Sequence, residues 1–242
     1  MRPLRISAIS YLNTAPLMWD FEHGEAGNEF EISYTLPSAC ARALQAGTAD
    51  IGIIPAAAYA QVPGLMALPG VAIASRRPVR SILLVSRVPI EKMLAQHDAG
   101  LLIGDPALQI DRSRYLTIDL AEEWIRHTGK PFVFAFWAVR QNALREVAPS
   151  QDLAAIFQQS RDHGLDPASL DHIAREWAPR LSLKESDVRS YLTENIYYHL
   201  DAACLEGLQL FYRYASEIGA LPAAPELRFL VSADATANAA IV

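Results

Sequence analysis

Short apolar runs bounded by turn-forming residues predict buried strands near the N-terminus. Runs of this length lie at Leu4–Ile9, Phe30–Thr35 and Asp50–Pro55. The second run alternates apolar and polar positions, as a half-buried strand does. The third run ends at a proline, which stops a strand by removing a backbone donor.

A helix is predicted after each of these strands. Thr14 can cap a helix whose first turn tolerates Pro16, and Ser38 is predicted to cap a helix that ends near Gly47. A shorter helix is expected from Ala56 to Val62. The alternation of strand and helix favours a parallel sheet with helices on its faces.

The middle of the chain is predicted to contain both strands and helices, whereas the last hundred or so residues read as helix alone. Strands are expected at Val71–Ser75, Val79–Val88, Gly100–Gly104 and Phe132–Val139, and helices at Glu91–Gln96 and at Leu120–His127, the latter capped by Asp119. Later helices are expected at Asp152–His163, Pro167–Trp177 and Asp187–Ile218. We therefore expect an α/β protein with a helical C-terminal half.

Composition excludes several classes of protein. The 242 residues are 51% hydrophobic and carry a net charge of −6, which argues against disorder and against nucleic-acid binding. Two cysteines, Cys40 and Cys204, are too few for a disulfide scaffold. No apolar run approaches the roughly 18 residues of a membrane helix. Because the start of the chain also lacks the features of an export signal, we expect a cytoplasmic protein without membrane contact.

No cofactor or metal motif is recognisable. Thr128-Gly129-Lys130 resembles the end of a phosphate-binding loop, but Trp124 and Pro131 stand where that loop needs glycine and Ser or Thr. Isolated glycines exclude a dinucleotide fingerprint, and the six histidines show no His-x-x-x-His spacing. We therefore predict neither a cofactor nor a metal site.

Small polar residues follow three predicted strands. They are Ser10 with Asn13, Pro55 with Ala56, and Gly104 with Asp105. Ligands of open parallel sheets bind beyond the carboxyl ends of the strands, where free backbone amides can hold an anion. Asn13 and Asp105 are also ordinary turn residues, so this pattern alone leaves their function open.

Four ordered blocks of sequence resemble the menaquinone-biosynthesis chorismate dehydratases of the futalosine route. The blocks are Ser10–Leu17 (SYLNTAPL), Ala49–Pro55 (ADIGIIP), Leu102–Leu108 (LIGDPAL) and Gly129–Ala138 (GKPFVFAFWA). The resemblance runs from Arg5 to about Arg213. Its specificity comes from the four blocks together, because no single block would suffice.

The resemblance implies a two-lobed fold like that of the type II periplasmic solute-binding proteins, with the ligand between the lobes. The first lobe would take residues 1–85 and 140–242, and the second would take residues 86–139. Val79–Val88 and Phe132–Val139 would then be the strands that cross between the lobes, and the C-terminal helices would pack on the first lobe.

The implied reaction removes water from chorismate, a dicarboxylate, and yields 3-[(1-carboxyvinyl)oxy]benzoate. The product ring is aromatic, which supplies the driving force, so no redox cofactor or metal is expected. The enzyme must hold the dianion, orient it and help one proton move. The substrate's own enolpyruvyl carboxylate could act as the base. A monomer and a homodimer are both compatible with the sequence.

The resemblance also indicates candidate site residues. Asn13 and Ser81 are the catalytic candidates: the amide of Asn13 could donate to developing charge, and Ser81 could donate to the leaving hydroxyl. Weaker candidates for lining the substrate site are Ser10, Ser38, Ile54, Gly104 and Asp105.

One part of the family pattern is absent. Family members usually open the second lobe with a strand and a Ser/Thr-rich motif that contains arginine, but here Val88–Met93 runs straight into Leu94–Gly100. The flanks read as two family segments joined after Met93. Because the absent motif would hold a substrate carboxylate, we expect this chain to bind chorismate weakly, with weak or no turnover.

Two other functions remain open at this stage. The sister enzyme of the pathway makes a dihydroxynaphthoate from a cyclised futalosine derivative and would need a catalytic histidine, either His97 or His127. A non-catalytic binding protein for a small carboxylate is the second, since one fold serves many functions. The Ser-Tyr-Leu-Asn opening favours the dehydratase over the sister enzyme. The missing export signal argues against a transport role for a binding protein.

Overall fold

Two separate sheets organise the chain. A computed structural model describes residues 2–88, 99–146 and 151–230. The strands of the first sheet are β1 (Leu4–Ile9), β2 (Phe30–Thr35), β3 (Ile51–Pro55), β4 (Leu65–Ser75) and β8 (Phe132–Arg140). The strands of the second sheet are β5 (Ile82–Ser86), β6 (Ala99–Ile103) and β7 (Leu116–Asp119).

Helices cover both sheets and make up most of the C-terminal part. The α-helices lie at Trp19–His23, Pro37–Ala46, Ala56–Tyr59, Asp105–Leu108, Leu120–Thr128, Leu153–Gly164, Pro167–Leu181, Glu185–Ser190 and Ala202–Glu217. Short 3₁₀ segments lie at Leu12–Met18, Ala26–Glu29 and Gln141–Glu146, and Tyr191–Asn195 forms a π-helical turn. No helix in these described ranges is both long and apolar enough to cross a bilayer.

The first sheet is only partly parallel. Its strand order is β2-β1-β3-β8-β4. β1 pairs parallel with β2 and with β3, as the alternation of strand and helix predicted, whereas β8 pairs antiparallel with β3 and with β4. The prediction of a parallel sheet is therefore confirmed for β1, β2 and β3, the strands from which it was made. β8 runs the other way because the chain enters it on its return from the second sheet.

The second sheet is antiparallel and is built from one continuous stretch of chain. Its order is β6-β5-β7, with β5 in the centre. The chain leaves the first sheet after Ser75 and returns to it at Phe132. The lobe boundaries at residues 85 and 140 stay a prediction, since a change of sheet does not by itself define a lobe.

The core of the first sheet is closed by the C-terminal helices. Phe157, on the Leu153–Gly164 helix, is fully buried against Phe21 and Trp137. At the end of this helix the backbone touches the Leu12–Met18 segment: a Cβ at Gly164 would lie 1.9 Å from the carbonyl oxygen of Pro16. Only glycine permits this close approach. Cys40 and Cys204 are buried free thiols, as composition suggested.

A buried carboxylate fixes the start of the first sheet. Asp50 is fully buried just before β3 and accepts hydrogen bonds from the side chains of Arg2 and Arg5, and from the backbone N–H of Arg5. Burial alone would raise the pKa of Asp50, but these donors outweigh it and hold the pKa well below its usual range. The carboxylate therefore stays charged and ties β1 to β3.

Two predicted helix caps differ from the structure. Ser38 lies inside the first turn of the Pro37–Ala46 helix, whose N-cap is Leu36, because Pro37 already has the backbone angle of a first helical residue. Thr14 lies within the 3₁₀ segment, whose N-cap is Tyr11. The cap at Asp119 is confirmed, since its carboxylate accepts the N–H groups of Ala121 and Glu122.

The long helix predicted from Asp187 to Ile218 is wrong. The chain leaves helical geometry after Asn195 and becomes helical again at Ala202. Between them, Tyr197 forms an antiparallel bridge to Ala74 of β4, with backbone hydrogen bonds of 2.8 and 2.9 Å. Pairing with the edge of β4 therefore overrides an apolar spacing that continues across the break. The predicted helix at 91–96 lies outside the described residues.

Candidate active site

A cavity of about 500 Å³ lies where the two sheets face each other. Its wall includes the segments that follow β1, β3 and β6, together with the beginning of β8. It is lined by Ile9, Tyr11, Asn13, Leu36, Pro37, Ser38, Pro55, Ala56, Ala57, Ile73, Ser81, Ile82, Ile103, Gly104, Phe132, Val133, Phe134, Ala135 and Phe211. The carboxyl ends of strands therefore meet at this cavity, as expected for an open sheet.

The cavity is largely apolar. Among the described residues that line it, the polar side chains are those of Tyr11, Asn13, Ser38 and Ser81, and none is charged. Such a wall suits a ring with a few oriented polar groups. The described part of this wall supplies no cation to pair with a carboxylate.

A buried tyrosine contacts one of the two catalytic candidates. Tyr191 lies in the π-helical turn and its hydroxyl donates to the Oγ of Ser81 at 2.9 Å. Burial raises the pKa of Tyr191, and the influence of Ser81 and Asn13, which lowers it, only partly opposes this. The phenol is therefore neutral at physiological pH and orients Ser81 through its hydrogen bond.

Ser81 is held at the cavity by Asp119. The Asp119 carboxylate accepts the backbone N–H of Val79 at 3.1 Å and that of Arg80 at 2.6 Å, in addition to capping its own helix. Arg80 has a positive φ of 64°, a conformation that non-glycine residues rarely adopt. Asp119 thus fixes the position of Arg80, the residue before Ser81, in the segment that connects the two sheets.

The amide of Asn13 is oriented by its neighbour. Asn13 lies in the 3₁₀ segment that follows β1, and the hydroxyl of Thr14 donates to its Oδ1 at 3.4 Å. With Oδ1 engaged, the Nδ2 group is available to donate. Asn13 and Ser81 come from different sheets, and the cavity brings them together.

Gly104 and Asp105 connect the second sheet to the turn after β1. Gly104 has a φ of 75°, its N–H donates to the carbonyl of Ser81 at 2.7 Å, and a Cβ there would lie 2.6 Å from the ring of Tyr11. Asp105 accepts the N–H of Leu12 at 3.0 Å. Burial raises the pKa of Asp105 to about 6, and the hydrogen bond from Leu12 only partly opposes this.

The structure brings four of the seven predicted site residues into the cavity wall: Asn13, Ser81, Ser38 and Gly104. Asp105 lies beside it at the contact with Leu12. Ile54 is fully buried within β3, and its neighbours Pro55 and Ala56 line the cavity instead. Ser10 is exposed and faces a different cavity, with Tyr34 and Trp177. The chemical roles of all seven residues stay predictions.

Tyr191 and Asp119 were missed as functional residues by sequence reasoning. A tyrosine at helical spacing among apolar residues has the pattern of a core residue, and Asp119 was recognised only as a helix cap. The histidine required by the sister enzyme finds no support in the described residues: His127 is exposed and does not line the cavity. His97 lies outside the described residues.

A family model matches most of the chain. The sequence model of a family described as menaquinone biosynthesis matches residues 4–96 and 89–217. The two matched segments overlap at residues 89–96, a range that includes Met93, after which the family motif is absent from the sequence. A chain that lacks family residues at this point would give a match divided in this way.

Two curated relatives are both named chorismate dehydratase. The protein of Thermus thermophilus is 31% identical over 151 residues, which cover 55% of this chain and 52% of the relative. The protein of Campylobacter jejuni is 31% identical over 127 residues, which cover 51% of this chain and 52% of the relative. The chain thus spans about half the length of the curated relatives it matches.

Solved structures establish the fold class. The periplasmic aliphatic sulphonate binding protein of Escherichia coli superimposes with a TM-score of 0.60 at 15% identity, covering 96% of this chain and 93% of that protein. At this identity the likeness concerns the fold alone. The predicted two-lobed fold of the periplasmic-binding-protein type is confirmed.

Proposed function

The chain belongs to the menaquinone biosynthesis family, and from this premise we propose that it is a carbon–oxygen lyase that dehydrates chorismate to 3-[(1-carboxyvinyl)oxy]benzoate. The observation that carries the proposal is an apolar cavity lined by both Asn13 and Ser81, with Ser81 held by a hydrogen bond from the buried Tyr191. The same reaction is named for both curated relatives.

The cavity suits the requirements of this dehydration. The reaction breaks one ring C–O bond and one ring C–H bond, and the hydroxyl and the proton leave together as water. In our proposal the apolar wall holds the ring, and Ser81 donates a hydrogen bond to the departing hydroxyl. Asn13 donates to charge that develops on the substrate. The enolpyruvyl carboxylate of chorismate takes the ring proton and passes it to the departing hydroxyl, which leaves as water, so no protein base is required.

We also propose that this chain binds chorismate weakly. The described residues that line the cavity provide no positive charge for either carboxylate of the substrate. A positive charge there would strengthen substrate binding substantially, because charge-assisted hydrogen bonds to a carboxylate are about twice as strong as neutral ones. With the arginine-containing motif absent, we expect a high KM, with the groups near the leaving hydroxyl retained.

The remaining predictions concern context. We place the reaction in the cytoplasm and in the futalosine route, with the protein as a monomer or homodimer. We further propose that the chain divides into two lobes, residues 1–85 with 140–242 and residues 86–139.

The direct test is to incubate the purified chain with chorismate and no added cofactor, and to measure the aromatic product by chromatography with mass detection. We expect product that increases with chorismate concentration without reaching saturation at low millimolar levels. A folded sample that binds chorismate and forms no product would instead indicate a carboxylate-binding protein. Binding of a futalosine-type ligand in preference to chorismate would indicate the sister enzyme.

Variants of Asn13 and Ser81 test whether these two cavity residues take part in the proposed reaction. Asn13→Ala and Ser81→Ala are each expected to lower turnover by about 100-fold, the usual effect of removing one donor of this kind, without unfolding the protein. Ser10→Ala is the matched control, because Ser10 is exposed and lies outside the cavity wall. Full activity in either of the first two variants would remove that residue from the proposed mechanism.

A further inference from the structure

Three side chains that commonly bind metals meet on the surface of the protein. They are His23, at the end of the Trp19–His23 helix, and His172 and Glu176 of the Pro167–Leu181 helix. One ligand atom of each lies within 4.8 Å of the others, and all three residues are exposed. We propose that this His–His–Glu cluster is a binding site for a divalent transition metal ion, with Zn²⁺ the best candidate.

Two residues of the cluster are close in the sequence and the third is distant. His172 and Glu176 are four residues apart on one helix, so their side chains lie on the same face, one turn apart. His23 joins them from a distant part of the sequence. The sequence contains no two histidines at this spacing, which is why its pattern predicted no metal site.

Aromatic packing holds the two imidazole rings in place. The ring of His23 stacks on Trp19 with the centroids 4.1 Å apart and the planes at 18°. The ring of His172 meets Trp19 and His23 edge-on, at 5.5 and 5.1 Å. Both rings are thus positioned before an ion arrives, which lowers the entropy cost of binding.

The hydrogen bonds of the cluster leave ligand atoms available. Nδ1 of His23 lies 3.3 Å from the carbonyl oxygen of Trp19. When Nδ1 carries the proton and donates it to this carbonyl oxygen, the lone pair of Nε2 is free to bind an ion. This is the common arrangement of metal-binding histidines. Arg180 donates to Oε1 of Glu176, so the other carboxylate oxygen can bind an ion. The nearby guanidinium charge weakens the attraction of the site for a cation.

The donor set decides which ions are favoured. Two imidazole nitrogens and one carboxylate oxygen suit Zn²⁺, with bonds of about 2.0 to 2.2 Å and a water as fourth ligand. Small rotations of the exposed side chains would bring the ligand atoms to that spacing. Mg²⁺ and Ca²⁺ prefer sites made only of oxygen. A bound ion would clasp the Trp19–His23 helix to the Pro167–Leu181 helix and stabilise the folded state by mass action.

The test is zinc binding by the chelator-treated full chain, followed by titration calorimetry and by thermal unfolding. We expect one Zn²⁺ per chain and a rise in Tm. Co²⁺ should give the visible absorption of a site with nitrogen ligands. His172→Ala and Glu176→Gln are each expected to weaken zinc binding by about ten-fold or more. Glu176→Gln preserves shape, so it tests the site even if His172→Ala fails to fold.

Two histidine variants serve as matched controls. His127→Ala removes an exposed histidine from the Leu120–Thr128 helix and should leave zinc binding unchanged. His163→Ala removes a histidine that contacts the Asp20 carboxylate at 2.9 Å, a competing site on the same side of the chain. Loss of binding in His163→Ala, unchanged binding in Glu176→Gln, or no binding at about 1 mM Zn²⁺ would each overturn the proposal.

Discussion

At the scale of single residues, the key group is the hydroxyl of Tyr191. Tyr191 does not line the cavity, but its hydroxyl is bonded to Ser81, which does. Tyr191 is fully buried, and its hydroxyl donates to the Oγ of Ser81. Because the phenol donates to the Oγ of Ser81, the serine proton is free to point toward the cavity. Tyr191 is therefore a positioning residue in our proposal, acting through Ser81.

Tyr191→Phe is expected to lower kcat by about ten-fold and to leave KM nearly unchanged, because the variant loses orientation of Ser81 and no substrate contact. It should also cost about 1 kcal/mol of stability, since Ser81 loses a buried partner. Steady-state kinetics and denaturant unfolding measure the two effects separately.

Tyr198→Phe is the control for this prediction. Tyr198 is equally buried, and its hydroxyl has no hydrogen-bond partner within the described part of the chain. Removing an unpaired buried hydroxyl should leave kcat unchanged and stability equal or higher. Equal kinetic effects of the two variants would contradict a special role of Tyr191.

Asp105 makes the stability of the protein depend on pH. Its pKa is raised to about 6 from 3.8 by burial, so the folded state holds this proton more tightly than the unfolded state does. The stabilising contribution of the group is therefore fully present below about pH 4 and is lost as pH rises through about 6.

Asp105→Asn is expected to remove this dependence. At pH 7.5 the variant should be more stable than the wild type by about 1 kcal/mol, a figure reduced for the partial exposure of the group. Below about pH 3 the two should be equal, since Asp105 is then uncharged in both the folded and the unfolded state. Denaturant unfolding at stepped pH is the measurement, with the exposed Glu122→Gln as control. A constant difference across this range would contradict the assignment.

At the scale of elements, the segment between Ser75 and β5 determines where the catalytic candidates meet. Asp119 closes β7, caps the next helix and holds the N–H groups of Val79 and Arg80. One carboxylate therefore sets the relative position of a strand, a helix and a crossing segment.

Asp119→Asn tests this arrangement. The amide oxygen can keep the contacts with the helix N-terminus, but its NH₂ group would face the N–H of Arg80, and two donors repel. We expect a loss of about 1 kcal/mol of stability and a fall in kcat of about ten-fold, measured by unfolding and by kinetics. Asp152→Ala, which removes the N-cap of the Leu153–Gly164 helix outside the cavity, should cost a similar stability and leave kcat unchanged.

Sequence patterns predicted the type of most elements and failed where distant parts of the chain pair. The strands β1, β2 and β3 follow from short apolar runs with turn residues after them. The break before Tyr197 does not, because it depends on the free edge of β4, which no local pattern reports. The same holds for β8, whose direction follows from the crossing of the chain.

The candidate site, like the fold, could be predicted from the sequence only in part. Asn13 and Ser81 came from family resemblance, and strand-end reasoning alone would have indicated Asn13 but not Ser81, which follows no strand. Tyr191 is 110 residues from Ser81 in the sequence, so no local spacing could reveal their contact. The His–His–Glu cluster depends on His23 reaching the Pro167–Leu181 helix and has no signature along the chain.

At the scale of the whole molecule, the two sheets enclose the cavity, but the described lining residues give it no cation. Both the divided family match and the sequence of the junction indicate that family residues are absent after Met93. Affinity for a dianion is therefore the property that this chain is expected to have lost, whereas the groups near the leaving hydroxyl are retained.

Restoring the absent segment is expected to restore affinity. Insertion after Met93 of the corresponding residues of the Thermus thermophilus relative should lower KM for chorismate by about ten-fold or more, because a charged, hydrogen-bonded contact is worth roughly 1.5 to 3 kcal/mol. A Gly/Ser insertion of equal length is the matched control and should not change KM. An insertion that leaves KM unchanged would place the weakness elsewhere.

The position of β8 between β3 and β4 has a consequence for how the protein emerges from the ribosome. The second sheet is continuous in sequence and can form as soon as β7 has been synthesised. The first sheet is incomplete until β8 has been synthesised, because β8 pairs with both β3 and β4. One edge of β3 and one edge of β4 therefore stay unpaired while the whole second sheet is synthesised. Open strand edges invite pairing with other chains. We expect nascent chains that stall between β4 and β8 to be the form of this protein that most needs chaperones.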